Sequence, residues 1–227
     1  MASLNNMLIK HRQNFAPVMP FALDSSNTFH LDLSVTNREL YDFDIQNTEA
    51  LANYIQGKIQ ENNKKSAVGG YGEDRLIYRK SRHFGIGSDA RTIHLGIDVW
   101  SEAYTSVSAP IAGQVHSLQI NDNFGDYGPT IILEHQLEGR TFFTLYGHLS
   151  VESLDGLSKG MEIQRGEQFA ETGDVHENGT WPPHLHFQVM ADLLGNSGDF
   201  PGVASQNDWP RFNEICPDPA SLLGIKH

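Results

Sequence analysis

His184-Leu185-His186-Phe187-Gln188-Val189-Met190 alternates polar and apolar residues almost strictly, and that alternation decides how the chain is read. A period of two is the signature of a half-buried strand. Leu185, Phe187 and Val189 are then expected to face a core, while His184, His186 and Gln188 face the other way. The Cα atoms of the two histidines would lie on the order of 6.6 Å apart in such a strand, close enough to serve one site.

An upstream stretch, Ile93-His94-Leu95-Gly96-Ile97-Asp98-Val99, carries two more side chains able to bind a metal. A helix would bring residues i and i+4 to one face, but Ile93, Ile97 and Val99 are β-branched and Gly96 is a poor helix former. As a strand it points His94, Gly96 and Asp98 to one side, with the Cα atoms of His94 and Asp98 roughly 13 Å apart if it runs straight. That is a long span for two ligands of one ion. A bend or bulge near Gly96 is therefore expected, where the missing side chain lets the backbone turn and leaves room for the metal.

The pairing of His-x-x-x-Asp with a later His-x-His resembles the lysostaphin and LytM-type zinc endopeptidases. Ala109-Pro110-Ile111-Ala112-Gly113-Gln114-Val115 is similar to the family's strand after the first motif, and Thr144-Leu145-Tyr146-Gly147-His148-Leu149-Ser150 to its Tyr-x-His-Leu-Ser segment. Pro183-His184-Leu185-His186-Phe187 is similar to its Pro-His-Leu-His-Phe. The likeness covers about residues 90 to 190. It implies that His94, Asp98 and His186 bind Zn2+, and that His148 and His184 are catalytic histidines outside the ligand set. The implied fold is mainly β, a twisted antiparallel sandwich or barrel-like sheet (a duplicated hybrid motif) with the metal in an open groove. The implied substrate is a peptide or peptidoglycan fragment of cell-wall or glycine-rich type.

The chemistry agrees with that assignment. Zinc takes nitrogen and oxygen ligands in a tetrahedral shell, and three protein ligands leave a position for water, as catalytic sites require. Bound water is acidified towards neutral pH and a scissile carbonyl can be polarised. An imidazole titrates near the working pH, so His148 and His184 have the chemistry to move the protons.

Plainer readings compete with some of these. The chain has 11 histidines, and His11, His30, His83, His116, His135, His176 and His227 are read as surface or satisfied core residues. His148 could mark only a turn after Tyr146-Gly147. His184 could be a fourth ligand that closes a structural site. The segment Thr172 to Pro183 is longer than the small-residue run that precedes Pro-His-Leu-His-Phe in the family, and it carries Trp181. No tyrosine is assigned to the transition-state role found in some relatives, and Arg91 and Thr92 precede the first motif instead. Besides a peptidase or amidase, two other classes are open: a metal-binding, non-hydrolytic accessory domain serving a partner enzyme, and a non-enzymatic activator of hydrolases. The last is disfavoured because all the ligand positions are filled.

With 227 residues and 39% hydrophobic content, the chain can bury one sizeable core plus extensions. A net charge of −12 disfavours non-specific nucleic-acid binding and attraction to anionic membranes. No stretch approaches the length of a membrane span, and residues 1 to 12 do not read as a secretory signal, so a cytoplasmic location is expected, or a secreted or periplasmic one if a leader has been trimmed away. The single cysteine, Cys216, excludes an internal disulfide framework and reads as a small buried apolar residue.

Three regions are expected: an N-terminal extension with one helix over residues 1–72, a zinc peptidase-like β core over 73–190 and a tail over 191–227 that packs on the core. The helix begins at a Thr48 cap and runs to about Lys65, with Leu51, Tyr54, Ile55 and Ile59 as its apolar stripe. Ser66 to Gly72 reads as a glycine-rich linker. Leu76-Ile77-Tyr78, Gly113 to Ile120, Thr130 to Glu134 and Thr141 to Tyr146 read as strands. The extension, with its cluster Phe15, Val18, Met19 and Phe21, either packs across a groove walled by Trp181 or covers an exposed sheet edge.

Overall fold

A computed structural model of the chain describes residues 3–80, 84–85, 87–123 and 125–225. His83 and His227 lie outside the described residues.

The strand expected over His184 to Met190 is the middle of the molecule. It forms β11, His184–Met190, buried along its whole length. Strand β4 (Ile97–Trp100) pairs antiparallel with one edge of β11, and β8 (Arg140–Gly147) with the other. The sheet continues through β7 (Gly128–Leu137), β6 (Gly113–Asn121) and β9 (Glu162–Ile163) on the β8 side. On the β4 side it ends with β2 (Ser66–Gly69) and β1 (Thr28–Leu31). The fold is thus mainly β, and its eight-stranded sheet does not close into a barrel. It is also mixed, because β1 and β2 run parallel. Two short pairs flank it: β5 (Ser106–Ser108) with β10 (Gln168–Glu171), and β3 (Arg91–His94) with β12 (Val203–Ser205).

The alternation of β11 does what its period requires. Leu185, Phe187 and Val189 enter a core shared with Ile97, Val99, Ile131, Leu133 and Tyr146, closed by Leu4, Leu8, Val18 and Met19 from the N-terminal region. The other face carries the polar side chains, and the tail after β11 packs beside them through Phe200, Ala204 and Cys216, with helix α4 (Trp209–Ile215) outside. Cys216 is fully buried, and burial pushes its thiol up to about 12.

Four local readings change. Ser66 to Gly69 is not a linker but the inner strand β2, hydrogen-bonded on both edges and wholly buried. Leu76-Ile77-Tyr78 lies in a helix, α3 (Leu76–Lys80), because three apolar residues in a row carry no period to separate strand from helix. The extension holds two α-helices rather than one, since Leu4–His11 forms α1 with Ser3 accepting from the Asn6 amide. Helix α2 spans Thr48–Glu61, capped by Asn47 rather than Thr48 through an Ala50 N–H bond of 3.0 Å; Lys64 and Lys65 lie beyond its end.

The extension is part of the structure it touches. Leu31, Leu33, Leu40, Ile45, Leu51 and Ile55 form a second core with Ala67, Leu76 and Trp100.

Candidate metal centre and catalytic histidines

The chain breaks where a bend was expected. β3 ends at His94 and β4 begins at Ile97, with Leu95 donating its amide to Gly202 O at 2.9 Å. The break turns His94 back onto Asp98, so that Nε2 of His94 lies 3.3 Å from Oδ1 of Asp98. Across the sheet, Asp98 is the register partner of His186, whose Nδ1 is 3.0 Å from the same Oδ1 and 3.0 Å from His94 Nε2. A Cβ on Gly96 would come within 2.7 Å of both His186 Cε1 and Phe187 O. The missing side chain thus makes room chiefly for the His186 ring.

These three residues are buried, and their donor atoms lie within 4.8 Å of one another. The outer hydrogen bonds test whether they suit a metal. His94 Nδ1 faces Gly70 O at 3.0 Å, and a carbonyl can only accept, so this nitrogen carries the proton and Nε2 keeps its lone pair. His186 Nε2 faces Gln188 Oε1 at 3.0 Å, and Gln188 is oriented by donating its Nε2 to Pro201 O at 3.1 Å. His186 therefore presents a free Nδ1. Two lone pairs and a carboxylate oxygen thus converge, with outer partners of the kind that fix ligand histidines. Zinc–nitrogen bonds of about 2.0–2.1 Å in a tetrahedral shell separate two donors by about 3.3 Å, close to the spacing seen here. The residues fit a zinc ion.

His184 and His148 stand beside this cluster. Trp100, the register partner of His184, stacks on its ring with centroids 4.0 Å apart. His184 donates Nδ1–H to Pro182 O at 2.7 Å, leaving Nε2 unprotonated and 3.9 Å from Asp98 Oδ1. His184 is not among the three clustered donors. His148 adopts a left-handed backbone (φ 60°) at the end of β8, held by its amide on Tyr127 O and its carbonyl under the Gly173 amide, each at 2.8 Å. A histidine in that conformation is strained and must be held by its surroundings. Its Nδ1–H donates to Asn178 O at 2.8 Å, and its ring lies 4.2 Å from that of His184.

Burial favours the neutral form of His94, His184 and His148. It pushes His94 and His184 down to about 4, and His148 well below its usual value with the neighbouring His184 adding to the effect. Burial alone would raise Asp98, but His94, Arg75 and His184 hold its carboxyl well below the usual range.

Two residues of the site gave no signal in the sequence. Tyr127 lies with its ring 5.0 Å from that of His186 and its hydroxyl 3.5 Å from Nε2, and burial raises its pKa well above 10. It sits just before β7 in a Gly-Asp-Tyr-Gly segment that reads as a turn. Asn178, fully buried, anchors the loop before β11 by bonds to Gly173 O, Trp181 O and Trp181 N while its carbonyl positions His148. This loop therefore serves the histidine.

The centre opens into a cavity of about 250 Å³ bounded by Trp181, Phe84, Tyr127 and Phe200, with Leu33, Ile45 and Leu51 of the extension on one side. The extension thus forms a wall of the groove as well as the edge of the sheet. The other described histidines keep their plain roles: His135 is buried between Ala112 O and Thr144 Oγ1, His11 contacts Glu138, and His176 is exposed. No helix among the described residues is long and apolar enough to cross a membrane.

Residues 92–198 match the model of peptidase family M23. Among solved structures, the chain is similar to the catalytic domain of the antimicrobial peptidase lysostaphin from Staphylococcus simulans at 24% identity, covering 67% of this chain and 94% of that one with a TM-score of 0.40. It is also similar to a zinc-containing peptidase from Vibrio cholerae (26% identity, 49% and 30% covered, TM-score 0.37). A third is Csd3 of Helicobacter pylori (27%, 44% and 24%, 0.35). The chain thus spans less than a third of the length of the last two. No curated protein matches it.

Proposed function

We propose that this chain, whose residues 92–198 match the model of peptidase family M23, is a zinc-dependent endopeptidase or amidase in which His94, Asp98 and His186 hold the metal and His148 and His184 move protons. The observation that carries the reading is the pair of fixed tautomers. Gly70 O and Gln188 Oε1 take the outer protons of His94 and His186, and the inner lone pairs meet at Asp98 Oδ1.

Zinc bound there would supply Lewis acidity, acidifying a water and polarising the scissile carbonyl. The protein's own groups supply the rest. His184, neutral and with Nε2 free, is placed to take a proton beside the cluster, since Pro182 O fixes its tautomer. His148 lies beside it, with ring centroids 4.2 Å apart and its tautomer fixed by Asn178 O, and can return a proton to the leaving amine. Positioned acid and base groups contribute on the order of 10²–10⁴-fold. Tyr127, protonated at neutral pH, is a hydroxyl donor for charge developing on the carbonyl oxygen. Peptides of cell-wall or glycine-rich type are the substrates the resemblance implies, and the net charge of −12 supports a partner that is neither nucleic acid nor an anionic surface.

The test is metal analysis of the purified chain paired with hydrolysis of glycine-rich peptides and peptidoglycan fragments. One zinc per chain, lost in Asp98→Ala, with metal-dependent cleavage, is expected. Full zinc occupancy in Asp98→Ala overturns the ligand set, and stoichiometric zinc without cleavage of any amide favours a non-hydrolytic accessory domain.

A further inference from the structure

The carboxylate of Asp98 has a second partner, on the side away from the histidines. Its Oδ2 accepts from Nη1 of Arg75, a guanidinium only 2% exposed. Arg75 is itself fixed. Its Nε donates to Glu73 Oε2 at 2.9 Å, and Glu73 spends its other oxygen accepting the Leu33 amide at 3.0 Å. The backbone around them is tied to the strand that carries His94: Arg75 N donates to Thr92 O, and His94 N to Glu73 O, each at 2.9 Å.

Space for this arrangement comes from one residue. Gly69 is the register partner of Asp98 in the β2–β4 pair, and a Cβ there would stand 2.7 Å from Arg75 Nη2 and 3.6 Å from Asp98 Cβ. The guanidinium lies over the bare backbone of β2 to reach Asp98. Among the described residues its buried Nη2 meets no hydrogen-bond acceptor in good geometry. Burying an ion pair is weak support for stability in itself. The arrangement is therefore better explained by what it does to Asp98 than by what it adds to the core.

We infer that Arg75, held by Glu73 and admitted by Gly69, is a positioning residue for the metal centre: it occupies Oδ2 and so presents Asp98 to zinc through Oδ1 alone. This rests on the metal reading proposed above. It makes residues 69–75 part of the centre although they precede the first motif, since Oδ1 is the atom that faces both His94 and His186.

Removing the partner of a metal-ligating carboxylate typically weakens metal affinity 10–100-fold. The experiment compares the full chain with Arg75→Met, Arg75→Lys and Glu73→Gln. Three quantities are read: zinc affinity by competition with a chelator, the visible spectrum of the Co(II)-substituted protein, and the melting temperature of the metal-free protein. Arg75→Met is expected to bind zinc at least tenfold more weakly with an altered Co(II) spectrum, Arg75→Lys to recover part of the affinity, and Glu73→Gln to lose less than Arg75→Met. If Arg75→Met does not fold, Glu73→Gln alone decides, with a measurable loss of zinc affinity supporting the inference and none overturning it. A variant that melts lower when metal-free but keeps wild-type zinc affinity and Co(II) spectrum shows Arg75 to be merely structural and overturns the inference alone. A wild-type chain that takes up no zinc overturns the metal reading and the inference with it.

Discussion

Gly96→Ala tests the geometry of the centre most directly, because it adds one methyl group to a residue that is neither a ligand nor a proton carrier. The new Cβ would sit 2.7 Å from His186 Cε1, 2.8 Å from its Nε2 and 2.7 Å from Phe187 O. That falls about 0.7 Å short of ordinary van der Waals contact. Phe187 O cannot give way cheaply, since β11 is hydrogen-bonded to β4 on one edge and β8 on the other. The His186 ring must therefore retreat, and ligand distances tolerate only about 0.2 Å before coordination suffers. Zinc affinity should fall by at least the 10–100-fold that disturbing a ligand's outer partners costs, or about 1.4–2.7 kcal/mol. Overpacking should also cost the metal-free protein about 1–3 kcal/mol, at about 2–4 °C per kcal/mol for a chain of this size. The assay is thermal melting of the metal-free protein with chelator-competition titration of zinc. A Gly96→Ala protein with wild-type melting temperature and wild-type zinc affinity would refute the account of why the chain breaks at this glycine.

Four further outcomes are expected. His148→Ala and His184→Ala should each retain zinc and lose about a hundredfold or more in kcat; metal analysis that finds His184→Ala empty would instead make His184 a fourth ligand. As the proposed base, His184 has to be neutral, and burial in the metal-free protein holds it down to about 4, so kcat/KM should persist below the ordinary imidazole range of about 6.5, whereas a midpoint near 6.5 would place the proton acceptor elsewhere. In stability the same sign holds for the remote His135, also held near 4 by burial: its contribution is full above about 6.5 and is lost as pH falls towards 4, by up to about 3 kcal/mol, an effect a His135→Phe comparison of melting temperature against pH isolates. A chain beginning at Ser66 loses β1, α1 and α2 and uncovers Ala67, Leu76 and Trp100, so it should aggregate with no gain in hydrolysis; a soluble truncation of higher activity would show the extension to be an occluding segment only.

Legible in the sequence were the central strand to the residue, the placement of its histidines opposite the core and the bend near Gly96, whereas the pairing of the two motifs into one centre came from the family resemblance. These were legible because alternation is a local property: a side chain's face follows from its parity once one face is buried. The reach from His94 to Asp98 was likewise a matter of strand length, which demanded a bend. What joins residues far apart in the chain left no such mark. Tyr127 and Asn178 lie in segments that read as turns, and only the β7–β8 hairpin and the folding back of the loop before β11 bring them to His186 and His148. Ser66 to Gly69 has the composition of a linker, and it becomes an inner strand because β1 and β4 offer it hydrogen bonds on both edges. Arg75 had no periodic neighbour to announce it. Its place depends on a glycine in register with Asp98, and pairing register is a property of the assembled sheet.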